Sequence, residues 1–357
     1  MTGAFVDGLA ALGPADARAA ADANGLSDRL TKPRGALGRL ETAGAQLAGI
    51  AGVSPPPVPE PAVVAVFAGD HGVLAEGVTP WPAEVTAQMV ANFCAGGAAI
   101  NVLARHAGAE VVVVDVGVAA ELEPAPALIL AKVRAGTGNI AVEPAMTADE
   151  CRAALDLGAS VAAQLVDERG ARALITGDMG IGNTTPSAAL IAAFTGRPPA
   201  EVTGRGTGID DAMLAGKVAV VERALARLPN GLSAARDPEA VLAELGGLEI
   251  AALTGFIVGG AARRVPVLID GVIAGAALLV AAAFSADVLD YCVPGHRSTE
   301  QGASAVLAHL GLEPLLDLNL RLGEGSGACL ALPVLQAAAK ILREMSTFDA
   351  AGVTDKQ

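Results

Sequence analysis

The 357-residue chain carries 38 acidic against 24 basic side chains, a formal net charge of −14, with a pI near 4.7. That balance argues against non-specific attraction to nucleic acid or to an anionic membrane, so any phosphate it binds must be held by a local site. Hydrophobic residues make up 52% and charged ones only 17%, enough for a sizeable core and typical of a globular α/β protein.

Residues 4–30 alternate Ala and Leu with Asp and Arg at helical spacing, Thr31-Lys32-Pro33-Arg34-Gly35 interrupts, and Leu37 to Ile50 resumes. The pattern predicts two amphipathic helices joined by a turn. The proline-rich stretch Val53 to Pro61 reads as an extended linker and places a boundary near residue 60. Met1 to Arg18 includes Asp7 and Asp16 and has no basic start followed by an apolar run, so no signal peptide is expected.

Val63 to Phe67 is a short β-branched run that stops at Ala68-Gly69-Asp70-His71-Gly72, the pattern of a buried parallel strand ending in a functional loop. After Pro80-Trp81-Pro82, the stretch Ala83 to Arg105 predicts one helix bearing Gln88 and Met89. Val111 to Gly117 predicts a second strand, again ending in Asp and Gly, and Thr147 with Glu150 fits a capping box that opens a helix to Glu168. The third strand, Ala173 to Thr176, leads into Gly177-Asp178-Met179-Gly180-Ile181-Gly182-Asn183 and an Ala-rich helix. Strand, glycine loop and helix together present backbone N–H groups and a helix N-terminus to an anion.

A second polar glycine cluster, Gly204-Arg205-Gly206-Thr207-Gly208, comes with Lys217 close behind, and the two clusters together favour a phosphate site. Leu248 to Ala262 predicts a helix, Val265 to Ile269 a strand ending in Asp270-Gly271, and Asp287-Val288-Leu289 the start of another strand. The apolar run Gly271 to Val288 reads as a buried helix rather than a membrane span, because Gly275, Ser285 and Asp287 interrupt it. Gly295-His296-Arg297-Ser298 precedes a helix to about Leu310, and Leu322-Gly323-Glu324-Gly325-Ser326-Gly327 precedes a last helix over about Leu330 to Met345. A lone carboxylate held among glycines suits a desolvated general base. Cys94, Cys151, Cys292 and Cys329 are scattered and form no CxxC pair, which predicts buried, reduced thiols in a cytoplasmic protein.

Strands alternating with helices over this length predict an α/β fold with a doubly wound, mostly parallel sheet. Lys32 to Gly38, Gly69 to Val73, Gly77 to Thr79, Val85 to Met89, Gly177 to Thr185, Gly204 to Gly208, Gly295 to Ser298 and Leu322 to Gly327 occur in an order that resembles the nicotinate-nucleotide–dimethylbenzimidazole phosphoribosyltransferase family over nearly the whole chain. The resemblance implies a Rossmann-like large domain over 61–325 and a small helical domain built from 1–60 and 326–357. It further implies transfer of phosphoribose from nicotinate mononucleotide to 5,6-dimethylbenzimidazole, a homodimer, and no required metal or cofactor. By motif, Glu324 is the implied base, Gln88 belongs to the benzimidazole pocket, and Gly180, Gly206, Lys217 and Ser298 lie on the phosphate side. Asp178, on the ribose side, stands where many relatives carry Glu, and Pro80-Trp81-Pro82 is a local variant. Two other readings of the residues compete: a metal-dependent phosphohydrolase using Asp70, His71, Asp115 and His296, and a non-catalytic nucleotide-binding sensor.

Overall fold

The structure is a computed structural model that describes residues 3–206, 208–229 and 233–354. Thr207, inside the second glycine cluster, lies outside the described residues. Six strands form one sheet: β1 (Ala62–Gly69), β2 (Ala109–Gly117), β3 (Leu128–Leu130), β4 (Ala173–Met179), β5 (Val267–Ile269) and β6 (Cys292–Pro294). Their order is β3-β2-β1-β4-β5-β6 and every pairing is parallel. The chain winds outward from β1 to β3 and then returns to lay β4 on the other side of β1. In such a sheet the crevice for a ligand opens at the carboxyl ends of the strands where the winding reverses.

The first helices are α1 (Ala4–Ala11), α2 (Ala17–Arg29), α3 (Arg39–Ala51), α4 (Glu84–Cys94), α5 (Ala99–Ala107) and α6 (Ala148–Ala163). There follow α7 (Thr184–Thr195), α8 (Pro199–Val202), α9 (Asp211–Ala226), α10 (Pro238–Leu245) and α11 (Leu248–Ala262). The last are α12 (Val272–Phe284), α13 (Gln301–Leu310), α14 (Ser326–Glu344) and α15 (Phe348–Ala351). Strand β1 is buried along its whole length, and its side chains alternate between two cores. Val63, Ala65 and Phe67 join α6, α11 and α12, while Val64, Val66 and Ala68 join Phe93, Ile100, Leu332 and Leu335 from α4, α5 and α14. Helices α6 and α11 lie almost backbone to backbone, because a Cβ on Gly158 would run into the Ala252 carbonyl and one on Gly255 into that of Leu155.

Several expectations from the sequence need correction. Residues 4–30 form two helices, since Gly13 and Pro14 interrupt the run, and α1 packs on α6 and α11 while α2 and α3 pack together. The stretch 83–105 is broken at Ala95-Gly96-Gly97-Ala98, where Gly96 adopts φ 78°, so that 84–107 gives an eleven- and a nine-residue helix. Asp287-Val288-Leu289 lies in a 3₁₀ turn (Ala286–Tyr291), and the strand begins after it at Cys292. The last helix starts four residues earlier than the periodicity indicates, at Ser326. Cys94 is only half-buried, although all four cysteines are unpaired. The capping box of α6 forms as expected, Thr147 Oγ1 accepting from the Glu150 N–H at 3.2 Å and Glu150 Oε2 from the Thr147 N–H at 2.8 Å.

Candidate active site

A cavity of about 380 Å³ opens at the carboxyl ends of β4, β5 and β6. Its walls include Asp178, Gly180, Gly206, Lys217, Ser298 and Glu324, so six of the seven residues singled out in the sequence converge on one space. Gln88 does not join them: it is exposed on α4, while Val85 and Met89 on the same helix line the cavity. Trp81, half exposed, lines the same apolar end together with Val78, Thr79 and Leu322.

Glu324 sits in a turn whose three consecutive residues, Gly323, Glu324 and Gly325, have φ of 85°, 64° and 90°. For a non-glycine residue this left-handed conformation costs roughly 1–2 kcal/mol, the kind of strain that a well-packed surround sustains at functional sites. The surround is specific. The Glu324 carbonyl lies over Gly177, so close that a Cβ at 177 would approach it to 2.8 Å. Gly177 belongs to β4 rather than to a loop, because it pairs with Val66 of β1 and the strand runs on through Asp178 to Met179, leaving only Gly180 to Asn183 as the connection to α7. The Glu324 side chain points to the N-terminus of α5, where Oε2 accepts the Ile100 N–H at 3.4 Å. Burial pushes its carboxyl above the usual carboxylate range and the charge of Asp270 adds to the rise, with the Ile100 N–H pulling the other way.

Asp178 is buried beside it, with Oδ1 accepting from Asn183 Nδ2 at 3.1 Å and Oδ2 without a partner. Burial, and then the nearby charges of Asp270 and Glu249, hold its carboxyl well above the ordinary value. Lys217, which also lines the cavity, is 2% exposed, and its Nζ donates to Thr184 Oγ1 at 2.7 Å and to the Gly204 carbonyl at 3.1 Å. Burial lowers its pKa to about 8, against the pull of Glu300. Arg321 donates to the Gly206 carbonyl at 2.8 Å and so ties the turn preceding Glu324 to the second glycine cluster. Ser298 Oγ accepts the Glu300 N–H at 3.3 Å.

Some structural contributors lie within motifs seen in the sequence, but their partners did not show there. Thr86, fully buried on α4, accepts the Ile181 N–H at 3.1 Å and pins the loop after β4. Behind that loop the buried pair His71 Nε2 and Glu249 Oε1 lies at 2.9 Å. Asp270 and His296, the latter with neither ring nitrogen hydrogen-bonded, stand at the ends of β5 and β6. Glycines mark these loops in the sequence, but the pairings across 178 residues do not show in it. Among the described residues no group of three or more His, Cys, Asp or Glu side chains is placed to hold a metal ion.

A parallel sheet with β3-β2-β1-β4-β5-β6 order and a cavity at its carboxyl edge lined by both a buried lysine and a desolvated carboxylate fit an α/β enzyme with an anionic ligand. The comparisons agree. A family model described as phosphoribosyltransferase matches residues 12–353. Nicotinate-nucleotide–dimethylbenzimidazole phosphoribosyltransferases from Salinispora tropica and Chloroflexus aggregans are 57% and 54% identical, the alignments covering 97% of this chain and 98% and 97% of theirs. A crystal structure of the Thermus thermophilus enzyme of that name superposes with a TM-score of 0.90 at 47% identity, covering 96% of this chain and 100% of that one. The chain belongs to the nicotinate-nucleotide–dimethylbenzimidazole phosphoribosyltransferase family.

Proposed function

We propose that the chain transfers the 5-phosphoribosyl group of nicotinate mononucleotide to 5,6-dimethylbenzimidazole, giving α-ribazole 5′-phosphate and nicotinate. The observation that carries this reading is that Glu324 and Lys217 line one cavity together with the apolar side chains of Trp81, Val85 and Met89. The apolar end suits a flat benzimidazole. Lys217, Gly206 and the N-terminus of α7 suit the phosphate, the peptide N–H groups and the ammonium supplying its partners.

In the reaction the unprotonated ring nitrogen of the base attacks ribose C1 with its lone pair, on the face opposite the departing pyridinium. The C1–nitrogen bond breaks and its electron pair stays on the pyridine ring, which leaves neutral and needs no acid. The attacking base becomes cationic and gives up its ring N–H proton to Glu324. One positioned carboxylate therefore suffices, and entry opposite the β-linked leaving group gives the α-linked product. Positive charge gathers on the sugar during transfer, and the acids at the strand ends offset it. Asp178, which lines the cavity, is read from the family resemblance as an acid on the ribose side.

Segments 1–60 and 326–357 are read as the small domain and 61–325 as the catalytic one. The unpaired cysteines fit the reducing cytoplasm, and the family resemblance implies a homodimer. Incubation of the purified protein with nicotinate mononucleotide and a panel of bases, followed by product identification, tests the reading. The expected result is nicotinate and an α-linked ribotide in equal amounts. Release of free phosphate, or binding of the nucleotide without turnover when a benzimidazole is present, would point instead to a phosphohydrolase or to a sensor.

A further inference from the structure

The N-cap residue of helix α14 is a glycine, Gly325, which has no side chain with which to cap the first turn. The cap comes from another strand. Asp270, one residue beyond β5, accepts the Gly325 N–H on Oδ2 at 3.2 Å and the Ala328 N–H on Oδ1 at 2.9 Å. These are the N–H groups of the N-cap and third helical positions, which a capping box satisfies with two local side chains and which here share one remote carboxylate. Asp270 is itself held: its backbone N–H donates to Thr176 Oγ1 at 3.0 Å, and Thr176 Oγ1 donates to the Leu268 carbonyl at 3.1 Å, joining β4 to β5. His296 Nε2 lies 3.4 Å from Oδ1. Gly327 leaves room for the His296 ring over the first turn of the helix.

The residue immediately before this anchored N–H is Glu324, in its left-handed conformation. We propose that Asp270 is a positioning residue for Glu324: by gripping both sides of the first turn of α14 it fixes the strained turn from which the base projects. This inference rests on the reading of Glu324 as the base. Asp270 touches no reacting atom in this scheme and acts through the geometry and the field at Glu324. The charged and titratable groups that share the cavity with that carboxylate are Asp178 from β4, His296 past β6, Arg321 on its own loop, and Arg205, Lys217 and Glu300, while Asp270 past β5 lies behind the turn on the Gly325 N–H. The Asp270 charge is one of the causes that raise the Glu324 pKa.

The test compares Asp270→Asn, Asp270→Glu, Glu324→Gln and the double variant Asp270→Asn/Glu324→Gln, each checked for folding by circular dichroism. Asp270→Asn places an amide donor against one of the two N–H groups, so the turn loosens. A misplacement on the order of 1 Å lowers kcat by roughly 10²-fold, while KM for nicotinate mononucleotide changes by less than about threefold. Removal of the negative charge also moves the acid limb of kcat to lower pH, a shift that a merely structural role would not produce. Asp270→Glu keeps the charge but displaces the carboxylate, so kcat falls and the acid limb stays. The double variant is no slower than Glu324→Gln alone within about threefold, because Asp270 acts only through a base that Glu324→Gln has already removed. Normal kcat in either folded Asp270 variant overturns the inference, and so do losses that multiply in the double variant. If Glu324→Gln itself turns over normally, the base assignment fails first. If Glu324→Gln is slow and the Asp270 variants are not, only the positioning role fails.

Discussion

Lys217 Nζ donates to Thr184 Oγ1 across 2.7 Å, which ties α9 to the first residue of the helix that follows β4. The ammonium is thereby aimed along the cavity wall with little freedom left to lose on binding an anion.

Replacement of Lys217 by Ala therefore weakens nicotinate mononucleotide binding by about 10- to 100-fold, as expected for loss of a hydrogen bond to a charged group. The effect falls mainly on KM, and calorimetric titration of the nucleotide reads it directly. Unchanged affinity would remove Lys217 from the phosphate site.

The same lysine predicts a basic limb. Burial places its pKa at about 8 in the free protein. Only the ammonium form attracts the phosphate, so kcat/KM declines as pH rises through that value. The decline is weaker in kcat, since a bound dianion favours the cation. In Lys217→Ala the basic limb is absent.

Glu324→Gln retains size but not basicity, and turnover falls by roughly 10²–10⁴-fold, the usual range for a positioned general base. Burial and Asp270 raise its pKa, and the carboxylate form is the active one. The wild-type rate accordingly drops as pH falls through a value above the ordinary glutamate range. Stopped-time assays of product across pH check both points; an acid limb that persists in the variant at near-normal rate would send the search for the base to Asp70 or Asp178.

Trp81 is the sole tryptophan and lines the apolar end of the cavity. Its emission changes when dimethylbenzimidazole is titrated in. A flat titration, at concentrations where calorimetry shows binding, would place the base elsewhere.

His71 and Glu249 form a fully buried pair, and Glu249, then Asp70, raise the His71 pKa against the opposing effect of burial. The pair contributes stability that is complete below the unfolded value of about 6.5 and is lost as pH rises through the higher folded pKa. His71→Ala leaves Glu249 buried and unpaired, and costs about 3–5 kcal/mol. Urea unfolding at pH 6 and pH 9 measures this: the gap between wild type and His71→Ala narrows at the higher pH.

The strand ends were legible because apolar β-branched runs such as Val63 to Phe67 stop abruptly at Gly-Asp, and a central parallel strand allows few other patterns. The convergence of Asp178, Gly180, Gly206, Ser298 and Glu324 was legible through family motifs attached to strand ends or loops, whereas Lys217, on α9, was legible only by its nearness to the second glycine cluster. The break at Gly96-Gly97 was written in the sequence but masked by the helical spacing on either side of it. Other features depend on tertiary contact. Nothing local to Asp270 shows that it caps a helix 55 residues further on, and nothing local to Gly177 shows that a distant carbonyl rests on it. Strand β3, three residues long, forms by pairing with β2 rather than by its own propensity.

Helix α14 also shapes the order in which the molecule can be completed. Its Ala328, Leu332, Leu335 and Ala339 cover the same face of the sheet as Val64, Val66, Ile175, Leu268 and Val293. During synthesis on the ribosome every strand leaves the exit tunnel before residues 326–344 do, so this face, covered until then only by α4 and α5, stays partly bare until the last long helix arrives. A nascent chain halted short of it exposes a sticky sheet and engages chaperones, as partly folded α/β intermediates do. Because Glu324 lies two residues ahead of α14, the protein gains its base at the same moment that it loses its tendency to aggregate.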